Sequence, residues 1–362
     1  MPGCWAERQA PVFSNIPENM DKKEVKCVIW DLDNTLWDGV LAEDDEVVLK
    51  PGIFDVIKSL DDRGILNSIA SKNNFEDAIR KLQEFRLTEY FLYPQISWNA
   101  KSVSVKKILG KLNIAQDTIL FVDDLAFERE EVQSLHPEVE CLDASDYRDM
   151  LSLRRLNPRF VTEDSKRRRL MYFDDIRRDE EEQEFQGPKE EFLKGLGLKF
   201  IISRARENDL KRAEELTIRT NQLNATGITY SYEELDRLRT SEDHELLVCE
   251  LTDKYGSYGK IGLALIEKSP GYWSVKMLLM SCRVISRGVG TVLLMHIIRE
   301  AEKHGKKLRA DFRMTDRNKM MYITYKFAGF EEVINDGKGN IMLEYGTHAM
   351  AAIPDHIDLS IL

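Results

Sequence analysis

The stretch VKCVIWDLDNTLW, residues 25–37, decides how the first half of the chain is read. Residues Val25–Trp30 predict a buried β-strand that ends in two carboxylates, Asp31 and Asp33, two positions apart. In an open α/β sheet the carboxyl ends of the strands border the ligand crevice, so D-x-D-x-T at such an end places charge where chemistry occurs. Asp31 is suited to attack phosphorus while its second oxygen binds a hard cation. Asp33 is suited to move protons, and loop carbonyls can complete an oxygen shell. A polar turn after a strand uses the same residues, so D-x-D-x-T needs corroboration elsewhere in the chain.

Three later segments supply it. ILNSIAS (65–71) is a second apolar strand ending in a hydroxyl, Ser71, followed by Lys72 and Asn73. Lys101 opens a helix-like stretch, and TILFV (118–122) is a third strand ending in Asp123-Asp124. A phosphoryl group in transit spreads charge over its oxygens, so positioned cations and donors dominate its catalysis. The order of nucleophile, hydroxyl, cation and acidic pair resembles the haloacid dehalogenase superfamily of phosphoryl-transfer enzymes. That resemblance makes Asp31 the nucleophile and Asp33 the acid/base. It gives Ser71, Lys72, Asn73 and Lys101 to the phosphate, and Asp31, Asp33, Asp123 and Asp124 to Mg²⁺.

The 362 residues are enough for two domains with separate cores. The formal net charge of −11 argues against a nucleic-acid binder. No apolar run reaches the ~18 residues that a membrane-spanning helix needs. The cysteines at 4, 27, 141, 249 and 282 are odd in number and lack C-x-x-C spacing, which suits reduced thiols in a cytoplasm. Residues 1–23 read as a disordered leader. Strands at 25–30, 65–70, 118–122 and 139–142 alternate with helices at 53–62, 75–85, 103–112 and 127–135. This pattern predicts a parallel sheet covered on both faces, over 24–160, with no room for a large cap. The charged run 161–190 reads as a linker or solvated helix.

A second domain is expected over 191–346, with a tail at 347–362. Helices at 209–219 and 232–238 precede strands at 245–251, 259–267 and 272–280. A turn containing Cys282, Arg283, Arg287, Gly288 and Gly290 then leads into a long helix, 291–304. A strand at 308–312 and a helix at 319–326 follow. Strand, glycine turn and helix make an N–H cradle for phosphate, and the order is similar to the acyl-CoA N-acetyltransferase fold. Ile285 stands where that fold's pyrophosphate loop has Arg or Gln. Cys282 reads either as a small buried apolar residue or as a thiol activated by the neighbouring arginines and the helix N-terminus. The expected fold class is therefore α/β, a capless haloacid-dehalogenase-like domain followed by an acetyltransferase-like one.

The combination closely resembles the FkbH-like family, glyceryl transferase/phosphatases of polyketide assembly lines. The matching residues include WDLDNTLWDG (30–39), SKN (71–73), FVDD (121–124), Glu128-Arg129, Gln222, Asn224, Thr226-Gly227 and MSCRVISRG (280–288). The resemblance implies 1,3-bisphosphoglycerate as donor, a thioester on Cys282, loss of phosphate through Asp31, and delivery to the phosphopantetheine of an acyl carrier protein. Arg283, Arg287, Gly288, Gly290, Asn318, Tyr322, Gln222 and Asn224 would then hold the acyl group or the pantetheine. Asp253 and Asp311 are candidate bases. Arg154-Arg155, Lys166–Arg169, Arg204 and Arg206 are candidate docking cations for an acidic carrier. A plain Mg²⁺ phosphatase with a non-catalytic second domain, a loader of a related unit such as lactyl, and a phosphatase fused to an N-acetyltransferase remain as alternatives.

Overall fold

The computed structural model describes residues 23–346, except 45 and 221, together with 353–362. Most of the leader expected at 1–23 and the first part of the expected tail therefore lie outside the described residues. The chain divides into two compact units, residues 1–60 with 65–158, and residues 61–64 with 159–362.

The first unit is built on five parallel strands: β1 (Cys27–Trp30), β2 (Leu66–Ser71), β3 (Gln95–Ile96), β4 (Ile119–Asp123) and β5 (Glu140–Asp143), in the order β3-β2-β1-β4-β5. Every residue of β1 is buried, as expected for a strand covered on both faces. The connecting helices are α1 (Ile53–Asp62), α2 (Phe75–Glu84), α3 (Lys101–Leu112) and α4 (Ala126–Leu135). In α1, Ile53, Val56, Ile57 and Leu60 recur at helical spacing and all are buried. Asn74 caps α2, its side chain accepting from the Asp77 N–H. The strand order reverses between β1 and β4, and that switch point fixes the site. Trp30 pairs with Val122 on one side and with Ile69 on the other. This register puts Asp31 beside Asp123, with Ser71 at the end of the next strand.

After a one-turn helix at Glu163–Lys166, the second unit continues with α5 (Arg168–Glu184) and α6 (Lys189–Leu196), then β6 (Leu198–Arg204), α7 (Leu210–Arg219) and α8 (Tyr232–Arg239). The antiparallel run β7 (His244–Asp253), β8 (Gly256–Lys268) and β9 (Tyr272–Met280) leads to α9 (Val289–Lys303) and β10 (Lys307–Arg313). Helix α10 (Lys319–Phe327), the hairpin β11 (Phe330–Asn335) and β12 (Asn340–Tyr345), and β13 (Ile357–Ile361) complete the unit. The eight strands form one sheet in the order β11-β12-β10-β9-β8-β7-β6-β13.

The parallel pair β9 and β10 is in register only from Tyr272 with Lys307 to Val275 with Ala310. Beyond that point the two strands part. Leu223–Ala225 enters the gap, with bonds Ala225 N–H to Leu278 O, Leu223 O from Met280 N–H, and Ala225 O from Arg313 N–H.

Two sequence expectations change here. The charged run 161–190 forms the helix α5 of the second unit, and its charges divide: Arg168 and Arg178 are buried against carboxylates of the same unit, while Arg177, Asp179, Glu180, Glu181 and Glu184 are exposed. Residues 357–361 are not a tail but the edge strand β13, paired in parallel with β6 from Ile357/Leu198 to Ile361/Ile202.

Candidate active sites

Lys101, at the start of α3, is buried and its ammonium lies 2.9 Å from Asp31, 2.5 Å from Asp123 and 2.6 Å from Glu128. Glu128 also takes Lys72 at 2.7 Å. Arg129 donates to the Asp123 carbonyl at 2.6 Å and pairs with Asp143 at 2.7 Å, fixing the loop after β4. Carboxylate oxygens of Asp31, Asp123 and Asp124 lie within 4.8 Å of one another.

Burial pushes the Asp31 carboxyl up to about 7, against the pull of Lys101, and Asp123 adds to the rise. Burial likewise raises Asp123 and Asp124. Burial works against the Lys101 ammonium too, but Asp31 and Asp123 outweigh it and keep it protonated. Four carboxylates (Asp31, Asp123, Asp124 and Glu128) thus share two ammoniums, Lys72 and Lys101. That excess of buried negative charge, carried on hard oxygen ligands, fits a divalent cation such as Mg²⁺.

Asp33 stands apart from this group. Its Oδ1 accepts from the Trp37 indole at 2.8 Å and the Leu41 N–H at 3.0 Å, and its Oδ2 accepts from Asn73 at 2.8 Å. Asn73 therefore orients Asp33, where the resemblance predicts a phosphate ligand, and Lys72 reaches Glu128. Ser71 is buried at the end of β2, its carbonyl accepting from Ser97 N–H. Glu128 was missed as a site residue. Its signal was its place in the first turn of the helix that follows Asp123-Asp124.

In the second unit, Cys282 begins a 3₁₀ turn, Cys282–Arg287, between β9 and α9. Gly288 closes the turn at φ +76°, a conformation that favours glycine. Leu223, Leu278, Met280, Gly288, Gly290 and Met320 are among the residues lining a cavity of about 80 Å³ beside it. The arginines do not face an open anion site. Arg283 donates to the Tyr258 carbonyl at 2.7 Å and lies 3.9 Å from Asp175, and Arg287 pairs with Glu182 at 3.1 Å. Arg283 Nη1 and Arg287 Nε are buried without a hydrogen-bond partner. Tyr172 on α5 is half-buried and feels both Cys282 and Arg283; desolvation pushes its phenol up to about 12. It too was missed, although the apolar island LMYF (170–173) inside a charged run marked it.

Other expected contacts are structural. Asn318 is fully buried; its amide donates to the carbonyls of Asn224, Ala225 and Arg313 and accepts from Thr315 N–H. Asn224 caps its own turn, accepting from the Thr226 and Gly227 N–H groups. These two asparagines clamp the segment that fills the β9/β10 gap. Gln222 is exposed, and the Tyr322 hydroxyl donates to Glu332 at 2.5 Å.

Of the candidate bases, Asp253 is gripped by Arg178 at 2.7 and 2.8 Å and by the Tyr258 hydroxyl at 2.9 Å, and Asp311 pairs with Lys276 at 2.6 Å. Burial works to raise Asp253, but the Arg178 bonds win and hold it below the usual carboxylate range. Several docking candidates are likewise engaged: Arg155 with Glu140, Lys166 with Glu163, Arg168 with Glu215, and Arg204 with Glu245. No disulfide joins the described cysteines, Cys27, Cys141, Cys249 and Cys282; Cys4 lies outside the described residues. Among the described residues no helix is long and apolar enough to cross a membrane.

The first unit is thus an open parallel sheet with a cation-ready carboxylate cluster at its switch point, and the second a mixed sheet with a thiol at the turn into its longest post-strand helix. No family model matches the chain, and no curated protein matches it. Among solved structures, the N-terminal part of BF1531 from Bacteroides fragilis, described as containing a phosphatase domain complexed with Mg, is 30% identical over 38% of this chain, with a TM-score of 0.33. The match spans 41% of that structure, about two fifths of its length. The ribosomal-protein-S18-alanine N-acetyltransferase from Escherichia coli is 18% identical over 40% of this chain and 92% of its own, with a TM-score of 0.32. The PaiA N-acetyltransferase from Thermoplasma acidophilum, in complex with coenzyme A, is 17% identical over 40% of this chain and 98% of its own, with a TM-score of 0.32.

Proposed function

We propose that the chain is a two-centre enzyme that removes phosphate at Asp31 and transfers an acyl group through Cys282. The observation that carries this reading is the convergence of Asp31, Asp123, Asp124 and Lys101 at one end of a parallel sheet. The motifs shared with the FkbH-like family, those around Cys282 above all, support the finer assignment: a glyceryl transferase/phosphatase acting on 1,3-bisphosphoglycerate and an acyl carrier protein.

In this scheme the Cys282 thiolate attacks the carbonyl carbon of the acyl phosphate. The C–S bond forms, the C–O bond to phosphate breaks, and inorganic phosphate leaves. The remaining phosphomonoester is cleaved when Asp31 attacks phosphorus, giving an aspartyl-phosphate and the free hydroxyl; water then releases the second phosphate. Lys101 holds the transferring oxygens, and Asp33, oriented by Trp37 and Asn73, passes a proton to the leaving oxygen. Mg²⁺ on Asp31, Asp123 and Asp124 would neutralise charge on the transferring phosphoryl group. The pantetheine thiol of the carrier finally attacks the thioester and frees Cys282. Exchange between two thiols needs positioning more than driving force.

One observation favours the simpler phosphatase: Arg283 and Arg287 are engaged within the second unit and do not serve an incoming phosphate. Intact mass spectrometry separates the two readings. After incubation with a bisphosphoglycerate-generating mix and holo carrier protein, the transferase gives a three-carbon hydroxyacyl mass on the carrier. Steady phosphate release with no carrier adduct selects the phosphatase.

A further inference from the structure

Helix α10 carries two faces. Met321 and Tyr325 point into the core and are buried, while Met320, Ile323 and Phe327 recur at i, i+3 and i+7 and are exposed, Phe327 at 90%. At 100° per residue these three fall within about 60° of arc, a narrow apolar stripe on the solvent side. Single exposed hydrophobics are ordinary, but an aligned stripe is not.

Its two borders differ. On one side Met320 and Thr324 line the cavity beside the Cys282 turn, and the exposed Ile285 extends the apolar surface around its mouth. On the other side stand Lys319 and Lys326. The segment 313–328 holds four cationic side chains, Arg313, Arg317, Lys319 and Lys326, against one acidic, Asp316, in a chain whose formal net charge is −11. All four are exposed, and none forms an ion pair among the described residues. The acidic neighbour Glu332 accepts from the Tyr322 hydroxyl and the Asn335 amide and also feels the charge of Lys326, without a direct ion pair.

We propose that this face of α10 is the docking surface for the carrier: an acidic protein that sets apolar side chains on Met320, Ile323 and Phe327, places carboxylates against Lys319 and Lys326, and threads its thiol-ended arm into the adjoining cavity. The occupant follows from charge complementarity and from continuity with the acyl cavity. The assignment rests on the transferase reading above, and it moves docking away from Arg155, Lys166, Arg168 and Arg204, whose charges are already paired.

The test uses the full chain with Phe327→Ser and, separately, the double variant Lys319→Glu/Lys326→Glu. Acyl transfer is measured to a holo acyl carrier protein and to free pantetheine, after circular dichroism has shown each variant folded. The KM for the carrier is expected to rise about tenfold or more in both variants, with transfer to pantetheine within about twofold of the parent. Raised salt should weaken carrier loading by the parent and leave pantetheine untouched. If the carrier KM stays unchanged, docking lies elsewhere and the transferase reading stands. If transfer to both thiols falls together, α10 shapes the cavity and does not dock a partner. Carrier loading that survives in the variants while a dimer becomes a monomer, or while binding to anionic vesicles is lost, assigns the face to that other use. If the parent loads neither thiol, the transferase reading fails and the docking proposal fails with it.

Discussion

The two centres differ in what their polar groups do. Around Asp31 the groups singled out by sequence converge on one another: Lys101 bridges Asp31, Asp123 and Glu128, and the surplus of carboxylates calls for a cation. Around Cys282 they disperse. Arg283 serves the Tyr258 carbonyl, Arg287 serves Glu182, Asp253 serves Arg178, and Asn318 serves three backbone carbonyls. The first centre presents charge, while the second sets a thiol in a turn that borders an apolar cavity, its polar neighbours engaged within the fold. Phosphoryl transfer requires charge in the site itself. Passing an acyl group between two thiols requires chiefly that they meet.

The comparison breaks most sharply under reciprocal substitution. Asp31→Asn is expected to cut phosphate release from a small phosphomonoester by at least about a thousandfold. Cys282→Ala should leave that release within about twofold while abolishing the protein-bound acyl adduct seen by intact mass. An adduct that persists in Cys282→Ala would move the nucleophile elsewhere.

Lys101→Met probes the convergent centre as structure. Removing the shared ammonium leaves buried carboxylates uncompensated, at a cost of about 3–5 kcal/mol. Urea titration followed by tryptophan emission should show the loss, since Trp30, Trp37 and Trp98 report the first unit and Trp273 the second. Mg²⁺ is expected to restore part of the loss by binding only the folded unit, and an equal response of parent and variant to EDTA would argue against the assigned cation site.

How much of this was legible in the sequence turns on what each feature depends on. Asp31, Ser71 and Asp123 could be placed from sequence because each ends an apolar strand, and parallel register then brings strand ends together. Asn73 takes its role from Asp33, 40 residues away, which no local pattern encodes; Glu128 meets Lys72 from 56 residues away, and only its place in the helix after Asp123-Asp124 hints at it. The run 161–190 misled for the same reason: Arg178 reads as surface until Asp253 and the ring of Tyr258, 3.9 Å from its guanidinium, are beside it. Strand β13 was hidden because an edge strand with one buried residue carries little alternation to detect.

Asn318→Ala separates frame from ligand. Three carbonyls lose their donor, and the second unit should lose about 1–3 kcal/mol, with the KM for free pantetheine nearly constant. A KM that rises without loss of stability would return Asn318 to the ligand.

The smallest effect concerns acid. Burial works to raise Glu215, but Arg168, Arg212 and Arg219 outweigh it and hold its carboxyl well below the usual range. A depressed folded value adds stability above the unfolded value of about 4.3 and loses it as pH falls toward the lower folded one. The Trp273-reported urea midpoint should therefore be flat in this contribution from pH 7 to about 5 and fall below about 4. Glu215→Gln should flatten that fall.

The pairing of β13 with β6 also sets a schedule for synthesis. All five strands of the first sheet lie within residues 27–143, whereas the second sheet joins residues 198–202 to residues 357–361. Units fold as they emerge, and long-range pairing must wait for its partner. The half bearing Asp31 is expected to resist protease on ribosome-bound chains stalled before residue 357, while the half bearing Cys282 is still digested. The thiol would then acquire its frame only after the carboxylate centre is already in place.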